Sequence, residues 1–188
     1  MYPPNVHNSD GTKAFGWLTA EALGADASII GRGGMAILSK SNNSDYNMMM
    51  LYELNGAYEA GDATRYDFAR KPDVVVVELG INDYVKGECQ GNPDKFKTAV
   101  TDFVAALRTK YGNDVAIVWL CGYSTDDYSA TAMEALNALN DANIYYCQMP
   151  SDCCYTGAGD TDKYHPDEAG AVRMAEALTT FIRTNVLK

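Results

Sequence analysis

Lys71-Pro72-Asp73-Val74-Val75-Val76-Val77-Glu78-Leu79-Gly80-Ile81-Asn82-Asp83 is the stretch on which the fold turns. Four consecutive valines are costly in a helix, where each β-branched side chain is confined to one rotamer, and they fit a pleated strand well. Pro72 blocks a helix from running into them. The block from Val74 to Leu79 is broken only by Glu78, so it lacks the apolar–polar alternation of a half-exposed strand. It therefore predicts a strand buried on both faces, as in parallel sheets. Gly80 ends it.

Working outward, the pattern changes period. From about Asp94 to Tyr111, Phe96, Val100, Phe103, Val104 and Leu107 fall on one helical face. Val115 to Cys121 reads as a second strand, Thr125 to Asp141 as a helix, Ile144 to Cys147 as a strand, and Asp167 to Asn185 as a closing helix. Upstream, residues 13–24 carry Ala14, Trp17, Leu18 and Ala22 at helical spacing, with Gly24 as a stop. Ala27-Ser28-Ile29-Ile30 then reads as a short buried strand before Gly31-Arg32-Gly33-Gly34. The Asn/Ser cluster at 41–44 is a turn signal, and a helix is expected from Met48 to Leu54. Strands alternating with helices predict one α/β domain over residues 1–188, built on a parallel sheet.

Composition narrows the partners. The chain has 188 residues, 47% of them hydrophobic and 21% charged, enough for one ordinary core. A formal charge of −10 opposes binding to nucleic acid or to an anionic membrane surface, and favours a neutral or weakly charged substrate. No run approaches the roughly 18 apolar residues of a membrane span. Cys89, Cys121, Cys147, Cys153 and Cys154 form no metal-ligand spacing, and an odd count leaves at least one thiol outside any intramolecular disulfide.

Ligands of open parallel sheets bind beyond the carboxyl ends of the strands. Gly31-Arg32-Gly33-Gly34 and Gly80-Ile81-Asn82-Asp83 are expected there, and Asp162-Lys163-Tyr164-His165-Pro166 can reach the same edge. Asp162 lies three residues before His165, so a turn can set its carboxylate against the imidazole Nδ1 and leave Nε2 to take a proton. Pro166 suits the first turn of a helix, and Asp167 with Glu168 complements its dipole. Taken alone, this pattern reads equally well as a surface histidine beside a helix cap. Asn82 and Asp83 alone read as turn formers. Their functional reading has the Asn82 amide donating to an oxyanion, with Gly31 adding a backbone N–H. The glycine-rich loop matches neither phosphate-binding pattern. Asp160, Asp162 and Asp167 are an acidic loop without calcium-site spacing.

Together these segments resemble the SGNH hydrolase family. Residues 80–83 match its glycine-x-asparagine-aspartate block, residues 162–166 its aspartate-x-x-histidine-proline block, and Gly31 the glycine of its second block. The order of the blocks fits, and the resemblance spans nearly the whole chain. It implies a flavodoxin-like three-layer α/β/α fold with a parallel sheet, needing neither metal nor cofactor. It also implies a serine esterase with His165 as general base, Asp162 as its partner, and Gly31 and Asn82 as oxyanion donors. The Ala25-to-Gly34 passage and the acidic composition look like bacterial carbohydrate esterases that deacetylate plant polysaccharides. The expected partner is accordingly a small-molecule or polysaccharide ester, met outside the cell, with a cytoplasmic setting as the alternative. Lipase or thioesterase specificity would use the same catalytic groups.

One block is missing. The family's glycine-aspartate-serine turn occurs nowhere in residues 1–188. Ser9 lacks a preceding strand, and Ser9 or Asp10 reads as a helix cap; nothing marks Ser124 as a nucleophile. The expectation is an N-terminally truncated domain that lacks its first strand and its nucleophile. The alternative is a binding protein that keeps the cleft but does not turn over its ligand.

Overall fold

The computed structural model describes residues 10–38, 46–55, 64–85, 87–122, 128–154 and 165–187. Its helices are α1 (Phe15–Leu23), α2 (Met48–Leu51), α3 (Ile81–Val85), α4 (Pro93–Tyr111), α5 (Ser129–Ala138) and α6 (Glu168–Phe181). The strands are β1 (Val74–Val77), β2 (Ala116–Cys121) and β3 (Ile144–Gln148), in the spatial order β1-β2-β3. β1 and β2 run parallel, with Val74 opposite Ala116 and Val77 opposite Trp119. Such a pair cannot be joined by a tight turn, and the long connection between them contains α4.

The chain folds as two compact units. One comprises Ile30–Cys121 and Asp126–Cys147 and holds nearly all of the sheet. Its core is the seam between the sheet and helices α4 and α5. Asn92 caps α4 by accepting from the Lys95 N–H at 3.0 Å, and Pro93 occupies the first turn, where its missing N–H costs nothing. The five apolar positions expected on the inner face of α4 are all buried, joined by Ala99. Phe103 meets Trp119 of β2 edge-on at 6.4 Å, and Phe96 meets Tyr128 at 6.2 Å, the geometry aromatic quadrupoles favour. All six residues of β2 are buried. Beneath the sheet, Arg108 ties the layers together. Its guanidinium donates to Asp141 at 2.8 Å and to the carbonyls of Val115 at 2.6 Å and Gly112 at 3.2 Å.

The other unit comprises Met1–Ile29, Gly122–Thr125 and Gln148–Lys188 and pairs α1 with α6. Gly24 ends α1 in the left-handed conformation at φ 66°, the stop expected from the sequence. Arg183 donates to the Ala22 carbonyl at 2.6 Å, and Lys13 pairs with Glu168 at 3.0 Å. The inner face of α1 centres on Thr19, which is buried, while Trp17 is 45% exposed. The buried face is therefore rotated from the expected apolar stripe by part of a turn.

Two strand expectations need correction. Residues 27–30 form no strand, and Ile29 and Ile30 are both exposed. A strand exists only where a neighbour supplies hydrogen bonds, and none does among the described residues. For the same reason β1 is not buried on both faces. Val77 is buried, but Val76 is 38% exposed, because among the described residues β1 pairs with β2 alone.

Candidate active site

Gly80 turns the chain off β1 at φ 119°, a conformation that L side chains rarely adopt. A Cβ there would lie 2.8 Å from the Phe96 ring and 3.2 Å from that of Tyr128. The turn is thus a glycine requirement twice over, and it releases α3 directly from the end of the strand. The sequence suggested only a turn at this point; the structure makes Asn82 and Asp83 residues of a short helix.

Asp83 is fully buried. Its carboxylate accepts from the backbone N–H of Ile37 at 2.7 Å and of Leu38 at 2.9 Å. Charge-assisted bonds of this kind are among the stronger ones, and they offset the cost of burying the carboxylate. One residue earlier, the Asn82 Nδ2 donates to the Met35 carbonyl at 3.1 Å. Asn47 adds a bond from its Nδ2 to the Leu38 carbonyl at 2.8 Å, and the N–H of Met48 donates to the Ala36 carbonyl at 2.8 Å. Four groups from two helices therefore fasten residues 35–38 against the carboxyl end of β1. This puts the glycine-rich loop immediately upstream of a fixed anchor.

Gly31 and Gly33 in that loop are exposed, and a Cβ at either would meet nothing within 4 Å. Gly34 needs its freedom, at φ 73°. Asn82 commits one amide hydrogen to Met35, the residue that follows this loop. What sequence reading missed is Asp83. Its place beside Asn82 was the available signal, but a carboxylate that binds backbone groups 45 residues away leaves no local periodic trace.

His165 lies in the other unit. It is exposed and stands two residues before the N-cap of α6. That cap is Asp167, whose carboxylate accepts from the Gly170 N–H at 2.6 Å, so the helix start fixes the backbone that leads to the histidine. Asp162, expected to orient His165, lies outside the described residues, as do Ser9, Ser124 and Asp160. Among the described residues no group of three or more His, Cys, Asp or Glu is placed to hold a metal ion. No helix among them is long and apolar enough to cross a membrane.

The family model described as GDSL-like Lipase/Acylhydrolase matches residues 20–178. The chain belongs to this family. An acetylxylan esterase / glucomannan deacetylase of Cellvibrio japonicus is 24% identical over 180 residues, covering 91% of this chain and 48% of that protein. Among solved structures, a family two carbohydrate esterase from Clostridium thermocellum, in complex with cellohexaose, matches at TM-score 0.77 and 25% identity. That match covers 95% of this chain and 55% of the other. A carbohydrate esterase family 2 enzyme plus carbohydrate binding domain from Corynascus thermopiles matches at TM-score 0.75 and 26% identity, covering 95% and 58%. This GDSL-like chain shares their α/β fold with its parallel sheet. It spans about half the length of these carbohydrate esterases.

Proposed function

We propose that the protein is a serine-type carbohydrate esterase that removes acetyl groups from polysaccharides outside the cell. His165 acts as general base and Asp162 holds its tautomer. The Gly31 N–H and the second Asn82 N–H receive the oxyanion of the tetrahedral intermediate. Each such donor contributes about 3–4 kcal/mol to the transition state, because it is aimed before the charge develops. The observation that supports this reading is the fastening of Met35, Ile37 and Leu38, just after the glycine loop, to Asn82 and Asp83 beyond the carboxyl end of β1. The named activities of the relatives, xylan and glucomannan deacetylation, supply the substrate class. A net charge of −10 suits a neutral glycan.

The acyl-serine intermediate needs a nucleophile, and the reading assigns it to no serine within residues 1–188, since none stands in a glycine-aspartate-serine context. The test is acetate release from acetylated xylan and glucomannan. It is measured for residues 1–188 and for the protein translated with any coding segment directly upstream, each beside a His165→Ala variant. The extended protein should deacetylate, and His165→Ala should lower kcat by about 10²–10⁴-fold. Residues 1–188 alone should show no His165-dependent turnover. Acetate release that ignores His165, or a preference for long-chain acyl esters, refutes the reading. Tight binding of acetylated glycan with no turnover by either protein favours the non-catalytic alternative.

A further inference from the structure

Cys153 and Cys154 stand side by side twelve and eleven residues before His165. Cys153 is fully buried and Cys154 half-buried; neither is in a disulfide, and their side chains share a hydrogen bond. Cys154 pairs with Pro166 in an isolated antiparallel bridge, so it lies across from the residue next to His165. The Cys153 carbonyl oxygen takes the space a side chain on Gly170 would need: a Cβ there would lie 1.7 Å away. Just upstream, Arg173 donates to the Asp152 carbonyl at 2.7 Å and approaches its carboxylate at 3.6 Å. Segment 152–154 is thus clamped to Pro166 and to the first two turns of α6, on both sides of the dithiol.

We propose that Cys153 and Cys154 form a reversible dithiol–disulfide site whose closure displaces His165. Adjacent Cα atoms across a trans peptide are about 3.8 Å apart, whereas disulfide-bonded Cα atoms usually lie about 4.4–6.8 Å apart. Closing the ring must therefore rearrange the backbone between the two cysteines. That backbone has no slack, because the Cys153 carbonyl abuts Gly170 and Cys154 is bridged to Pro166. Movement passes to Pro166 and its neighbour His165. A strained disulfide is also easily reduced, which makes the site reversible.

The chemistry needs only a low-molecular-weight disulfide as oxidant. The Cys154 thiolate, the more accessible, attacks one sulfur of the oxidant; that S–S bond breaks and one thiolate leaves. Cys153 loses its proton and attacks the Cys154 Sγ, forming the intramolecular bond and expelling the second thiolate. The pair gives up two electrons and two protons, and the oxidant becomes two thiols. Burial pushes the Cys153 thiol up, which suits it to the second step rather than the first.

The effect on catalysis rests on His165 being the general base, but ring closure does not. The test incubates the folded protein with oxidised glutathione, maps the peptide carrying residues 153–154 by mass, and follows the His165 imidazole resonance, assigned with His165→Gln. The expected result is a peptide lighter by two hydrogens, a shifted resonance, and reversal of both by dithiothreitol. Cys154→Ser should abolish both changes while keeping the reduced resonance. A peptide that stops at the mixed disulfide, or a closed ring with an unmoved His165 resonance, overturns the proposal. If the ring closes and the resonance moves while neither redox form of the upstream-extended protein releases acetate, the redox site stands and the esterase reading falls. If that protein is active, oxidation should lower its rate at least about tenfold, and reduction should restore it.

Discussion

Asp83→Asn isolates the clamp on residues 37 and 38. The wild-type carboxylate accepts two backbone N–H groups, from Ile37 and Leu38, in a fully buried position. A hydrogen bond to a charged group contributes about 1.5–3 kcal/mol, and a buried donor left without a partner costs about 1–3 kcal/mol. The amide oxygen of asparagine can keep one of the two bonds without the charge. Its NH2 then faces the other N–H, donor against donor. The sum is a loss of about 3 kcal/mol or more, roughly a hundredfold or greater fall in the folding constant. For a chain of this length that is a drop in Tm of about 6–12 °C. Thermal unfolding gives the total, and amide hydrogen exchange locates it: Ile37 and Leu38 should lose protection before the strands do. A Tm indistinguishable from wild type, with unchanged exchange at both amides, would refute the idea that Asp83 holds the loop.

Other substitutions probe separate links. Asn82→Ala removes the tie to Met35 and the proposed oxyanion donor; kcat of the active protein should fall about 10²–10³-fold with little change in KM, and an equal change in both parameters would argue against transition-state stabilisation. Arg108→Ala cuts the contacts to Asp141, Val115 and Gly112 and should cost about 3 kcal/mol in denaturant unfolding, leaving the carboxyl edge of the sheet and its activity per folded molecule unchanged. The Glu53 carboxyl is held below its usual 4.5 by its hydrogen bond to Lys110, and further by Arg65. A depressed folded-state value means that its stabilisation is complete above the unfolded value and is lost as pH falls through the folded one. Glu53→Gln should therefore narrow the stability gap between neutral pH and the acid limb; an unchanged acid profile would show that the pair contributes nothing.

Where the sequence succeeded, the information was local. The α4 face from Phe96 to Leu107 is written in a 3.6-residue period and capped by Asn92 and Pro93, and the helix forms there. The valine block and the Ala116–Cys121 run announce strands by β-branching and apolar character. Motif order along the chain was enough to place it in the GDSL-like family, because spaced blocks survive where overall identity is near 25%. Ala27–Ile30 carries the same kind of local signal as β1 and still forms no strand. Its fate depends on a hydrogen-bonded neighbour, and pairing is a non-local property.

By itself, then, the sequence determined the alternation of strands and helices, the family, and the residues from which chemistry was to be expected. Tertiary structure alone decided what Asp83 does. Read in sequence it is one more turn former; folded, it is a buried carboxylate that fastens a loop 45 residues upstream. It alone also set Cys154 against Pro166 and the Cys153 carbonyl against Gly170, joining a pair of thiols to the backbone beside His165. Period and composition report what each residue prefers near its neighbours in sequence. Which distant backbone groups need a partner, and which side chain is buried beside them, is settled only when the chain closes on itself.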